Sequence, residues 1–119
     1  MKTIADILRI AALTLLLGAH PAFAHAIIVS SEPKPQQTVK GPDLEIVIRF
    51  NSRIDAGRSR LTLKSSGGSV ILPLEAADEG NTLRGSASNL GDGSYELLWQ
   101  TLSVDGHITH GAIPFRVSR

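Results

Sequence analysis

Leu44-Glu45-Ile46-Val47-Ile48-Arg49-Phe50 is the stretch that decides the fold class. Leu44, Ile46, Ile48 and Phe50 fall on one face of an extended chain, a period of two that marks a strand with one buried side. The same alternation recurs outward from it. Arg60-Leu61-Thr62-Leu63-Lys64 turns Leu61 and Leu63 inward. Ser66-Gly67-Gly68-Ser69 reads as a turn, and Val70, Leu72 and Leu74 continue a hairpin. Asn81 to Ser86 is a weaker strand around Leu83, and Leu90-Gly91-Asp92-Gly93 is a second turn. Tyr95 to Leu102 is apolar on both faces and is expected at the centre of a sheet. Gly111 to Val117 places Ile113, Phe115 and Val117 on one face, and Pro114, which has no N–H, suggests an edge or a bulge. Ala26 to Ser30 is a candidate first strand. Glu32-Pro33-Lys34-Pro35-Gln36-Gln37 reads as an extended surface connection. About seven short strands separated by turns predict an all-β fold, a small Greek-key sandwich or barrel.

The first 24 residues have a different character. Lys2 and Arg9 precede the apolar run Ile10-Ala11-Ala12-Leu13-Thr14-Leu15-Leu16-Leu17, which is too short to span a bilayer. Gly18 and Pro21 break it, and Ala22-Phe23-Ala24 is an A-x-A processing signal. Residues 1–24 are therefore expected to be a cleaved secretory leader, with 25–119 forming the mature domain. Ala24-His25-Ala26 also fits A-x-A but lies farther from the apolar run. A cut after Ala24 leaves no membrane-spanning segment in the mature chain.

Composition narrows the function. The chain has 12 Lys and Arg against 11 Asp and Glu; Lys2, Arg9 and Asp6 leave with the leader, so the mature domain is neutral when His is uncharged. No basic patch with interleaved aromatics points to nucleic acid. There is no Cys, which excludes zinc-finger, iron–sulfur and blue-copper thiolate sites. The single Met is Met1, so no thioether remains for Cu(I).

The chemistry concentrates at the two ends of the mature chain. Cleavage after Ala24 would make His25 the first residue, offering one metal ion both its α-amine and its ring Nδ1. Ser103-Val104-Asp105-Gly106-His107 lies far along the chain. In an extended segment Asp105 and His107, at i and i+2, point to the same side. With His25 they form a set of three nitrogens and one oxygen, which suits Cu(II). Each residue also has a plainer reading. Asp-Gly is a common turn dipeptide. His110 is turned away from His107 by strand alternation. Tyr95 and Trp99 share a face and are expected in the core. Thr101 or Ser103 could support a ligand through a hydrogen bond. Glu75, Asp78 and Glu79 read as a solvated loop.

These residues resemble the CopC-like periplasmic copper-binding proteins. The similarity lies in His25-Ala26 with Ser31-Glu32-Pro33, in Gly93-Ser94-Tyr95-Glu96-Leu97-Leu98-Trp99, in Ser103-Val104-Asp105-Gly106-His107, and in Gly111 with Phe115-Arg116-Val117. The resemblance implies a cupredoxin-like Greek-key β-barrel and an exposed site for one Cu(II) per mature chain. Its ligands carry over onto His25, Asp105 and His107. It also implies a non-enzymatic periplasmic role in copper tolerance or uptake, beside an inner-membrane copper-transport partner. A monomer is the default expectation. The chain departs from the family in several places: it has no Met-rich Cu(I) loop, Gln100 follows the Trp where a basic residue is frequent, Lys34-Pro35-Gln36-Gln37 lacks a Gly, and His110 is an added histidine. Two other functions fit parts of the pattern. An N-terminal His with a second His is also the copper brace of polysaccharide monooxygenases, though this chain has few aromatics. A metal-free Ig-like binding or scaffold module would need neither His25 nor His107.

Overall fold

The computed structural model describes residues 26–119. The expected leader and His25 lie outside these residues. Among the described residues nine strands run in chain order: β1 Ile28–Glu32, β2 Thr38–Lys40, β3 Leu44–Phe50, β4 Ile54–Ser65, β5 Gly68–Leu72, β6 Leu74–Glu75, β7 Thr82–Ala87, β8 Gly93–Ser103 and β9 Ile108–Ser118. They form a four-stranded sheet, β1-β3-β7-β6, and a five-stranded sheet, β2-β9-β8-β4-β5.

The all-β expectation holds as a cupredoxin- or Ig-like sandwich, but the count of seven strands and the barrel do not. β2 and β6 are too short to show an alternation of their own. Each exists because a longer neighbour offers it a ladder: β2 runs parallel to the end of β9, and β6 pairs with β7. Each sheet keeps two edge strands, so among the described residues the sheets do not close into a barrel. The hairpin expected to continue through Leu74 is also divided. β5 pairs with β4 in one sheet, whereas β6 joins the other. Pro73, which cannot donate to a ladder, sits where the chain changes sheets. Val70 is consequently exposed on the edge strand β5, while Leu72 is buried. The first strand also begins and ends two residues later than expected, at Ile28–Glu32.

The core follows the alternation. Ile46, Ile48 and Phe50 of β3 meet Leu61 of β4, Leu97 of β8 and Ile113 and Phe115 of β9, all buried. Phe50 packs edge-on against Trp99 with ring centroids 5.2 Å apart, joining the two sheets. Tyr95 stacks on Phe115 at 5.5 Å and donates its hydroxyl to the carbonyl of Gly91 at 2.8 Å. β8 lies at the centre of its sheet, as its two-sided apolarity predicts. Pro114 lies on β9, an interior strand by order. Its carbonyl accepts from the N–H of Gln36 at 2.7 Å, so its ring nitrogen faces that same side, where β2 has not yet begun. The proline thus lies on an interior strand rather than at a sheet edge, its missing N–H falling just before β2 begins.

Candidate metal centre

Val104 to His107 connect the end of β8, Ser103, to β9. The N–H of Gly106 donates to the carbonyl of Ser103 at 2.9 Å, closing a β-turn with Val104 and Asp105 at its centre. Gly106 follows at φ +92°, a conformation open to glycine and strained for residues with a Cβ. The N–H of Ser103 then donates to the carbonyl of His107 at 2.9 Å and restarts the ladder. This is the three-residue hairpin loop in which a turn is followed by a left-handed glycine. Asp105 and His107 do meet, but not as neighbours on an extended strand. The turn itself folds one towards the other.

Asp105 Oδ2 lies 3.1 Å from His107 Nδ1. Oδ1 accepts from the hydroxyl of Ser103 and, at 3.3 Å, from the backbone N–H of His107. The Ser103 hydroxyl also lies 3.0 Å from the carbonyl of His107, so one buried serine ties both sides of the loop. The Ser103 hydroxyl, and after it the His107 side chain, hold the Asp105 carboxyl down from its usual 3.8 to about 2. The carboxylate is therefore ionised throughout the neutral and mildly acidic range. Both side chains are a little under half exposed, although His107 Nδ1, the atom that faces Asp105, is closed to solvent. An ionised carboxylate oxygen beside an imidazole is a donor pair suited to a divalent first-row cation.

The start of the described chain comes to the same end of the sandwich. The N–H of Ile27 donates to Asn51 Oδ1 and the N–H of Asn51 donates to the carbonyl of Ile27, each at 2.9 Å. Three residues after Asn51, Ile54 opens β4 by pairing with Ser103. Ala26 is buried at 3% exposure. Of the expected site residues, the structure therefore brings together Asp105 and His107. Among the described residues no group of three His, Cys, Asp or Glu gathers around one point. His110 is exposed and pairs with Gln100, off the Asp105–His107 turn. Sequence reasoning did not find the pair of hydrogen bonds between Ile27 and Asn51, which joins residues 24 positions apart and has no local signature.

The model of the CopC domain matches residues 28–118, most of the chain. This protein belongs to the CopC family. Among its relatives, the "Copper transport protein CutJ" of Bacillus subtilis is 26% identical over 102 residues. The match covers 82% of this chain but only 19% of CutJ, so this chain corresponds to a small part of that protein. The "Protein YobA" of Escherichia coli K12 is 28% identical over 112 residues, covering 91% of this chain and 90% of YobA. In three dimensions the CopC domain is similar to the crystal structure of CopC from Methylosinus trichosporium OB3b. There the TM-score is 0.70 and the identity 27%, over 79% of this chain and 94% of that one.

Proposed function

We propose that this CopC domain is an exported periplasmic copper binder, a carrier or buffer rather than a catalyst. Leader cleavage after Ala24 exposes the amine of His25. That amine, the His25 ring, Asp105 and His107 capture one Cu(II) as cargo. The observation that carries this reading is the β8–β9 turn, which sets an ionised carboxylate 3.1 Å from an imidazole at the end where residues 26 and 27 enter the sheet. The two residues stay half in water, so cargo exchanges by ligand replacement without the sandwich opening. The name of CutJ, a copper transport protein of which this domain matches one part, supports handover to a membrane copper transporter. Membership of the CopC family supports a resistance or homeostasis role in the periplasm.

The test combines processing and binding. The intact mass of the exported protein should correspond to a chain starting at His25 that retains one Cu(II). His25→Ala with processing preserved, Asp105→Asn and His107→Ala should each weaken Cu(II) by more than the roughly 10–100-fold that loss of an outer partner costs. A residue added ahead of His25 should do the same, because it converts the amine to an amide. The amine, with a free pKa of about 7.7–8.0, must lose its proton to bind, so affinity should fall as pH drops below that range. Asp105 is ionised far below it and sets no limit there. Undiminished affinity in both the His25 and His107 variants would leave a metal-free binding module as the better reading.

A further inference from the structure

The inner faces of β8 and β9 carry two threonine hydroxyls just below the metal-binding turn. Thr101 pairs directly with Thr109 across the ladder. Residues opposed in this way project to one face with Cβ atoms about 4.5–5.5 Å apart, so the two side chains flank one space. Thr101 is 1% exposed. Thr101 Oγ1 and Thr109 Oγ1 are both closed to solvent, and neither has a hydrogen-bond partner among the described residues. Alternation makes Ser103 and His107 the next inward positions towards the turn. In the other direction the next pair is Trp99 and Gly111, and the indole lies where a Gly111 side chain would stand. Trp99 in turn packs on Phe50. The hydroxyls therefore sit between a polar turn above and an aromatic floor below.

A buried hydroxyl left without a partner costs desolvation free energy, and buried polar groups in folded proteins are nearly always satisfied by protein or by ordered water. Two such groups facing one space offer a water both donors and acceptors. We propose that Thr101 and Thr109 are positioning residues for the metal-binding turn: their hydroxyls hold one internal water beneath His107, and this seat fixes the Ser103–His107 loop against the sandwich. The water follows from the two hydroxyls alone; its consequence for copper rests on the function proposed above. Outer partners of this kind tune metal sites without touching the metal.

The experiment is a high-resolution crystal structure of the metal-free mature domain, together with Cu(II) titration and electron paramagnetic resonance of Thr101→Val, Thr109→Val and the hydroxyl-preserving Thr101→Ser and Thr109→Ser. The wild type should show one water within hydrogen-bond distance of both hydroxyls. The Val variants should lose it, bind Cu(II) about tenfold more weakly and shift the Cu(II) resonance spectrum, while the Ser variants keep wild-type values. No water between the hydroxyls would overturn the proposal. So would Val variants that bind within twofold of wild type with an unchanged spectrum. If a Val variant does not fold, the wild-type water and the Ser variants still decide. If the wild type binds no Cu(II), the copper reading fails by itself, and the presence or absence of the water decides the seat.

Discussion

Gly111→Ala would test how tightly the sheet beneath the β8–β9 turn is packed. A Cβ at Gly111 would stand 2.6 Å from Trp99 Cζ2, 2.8 Å from Cε2 and 2.9 Å from Nε1. Carbon atoms in contact settle near 3.5–4.0 Å, so the rigid indole must retreat by most of an ångström or the strand must shift. The ring has little room to retreat, because Phe50 of the opposite sheet lies against it with centroids 5.2 Å apart. Overpacking of this kind costs about 1–3 kcal/mol. For a domain of this size each kcal/mol lowers the melting temperature by roughly 4–8 °C, so a mid-range loss of about 2 kcal/mol corresponds to roughly 8–16 °C. Trp99 is the only tryptophan in the chain and so reports its own displacement. Urea unfolding followed by its fluorescence should give a lower midpoint with an unchanged slope, and a shifted native emission maximum. A loss below about 0.5 kcal/mol, the range of ordinary surface substitutions, would show that the indole is not confined as described.

Three further outcomes concern the turn. Ser103→Ala removes the principal cause of the low Asp105 pKa, so the carboxyl midpoint followed by NMR should rise from about 2 towards 3.8; an unmoved midpoint would assign the shift elsewhere. The sign for stability follows from the same bonds. A carboxyl whose pKa is lowered by folding stabilises the native state above about 3.8 and loses that contribution as pH falls through about 2, so Ser103→Ala should reduce the fall in stability across that window. Gly106→Ala places a Cβ at φ +92° and should cost about 1–2 kcal/mol in urea unfolding, together with weakened Cu(II) binding; full retention of both would mean the loop tolerates another conformation.

What the sequence disclosed divides along a physical line. The alternation of Leu44 to Phe50 and of Leu61 and Leu63 is local, and each face it predicts to be buried is buried. The two-sided apolarity of Tyr95 to Leu102 likewise placed β8 at the centre of its sheet. β2 and β6 were not legible, because strands of three and two residues carry no period and form only when β9 and β7 are already in place. The change of sheet at Pro73 is hidden for a similar reason: Val70, Leu72 and Leu74 continue the alternation although the backbone changes partner between them. Thr109 was not singled out because a threonine on a strand is ordinary; only its pairing with Thr101 and the closure of both hydroxyls from solvent make it distinctive.

Asp105-Gly106 reads as a common turn dipeptide and Asp105 with His107 as a proposed ligand pair, and the two readings are compatible in this geometry. A hairpin loop of three residues needs a left-handed residue at its last position, and Gly106 supplies it. An aspartate at the centre of such a turn accepts a hydrogen bond from the N–H two residues on, as Asp105 does from His107. That same bond draws the carboxylate to the side of the imidazole. Ser103, at the base of the hairpin, then lowers the carboxyl pKa and keeps the oxygen anionic. Shape and charge at this site thus arise from one set of bonds, so a substitution that relaxes the turn must also disperse the donors. For this reason binding and stability should fall together in Gly106→Ala. In Asp105→Asn the amide can still cap the turn through its carbonyl oxygen, so binding should fall much further than stability.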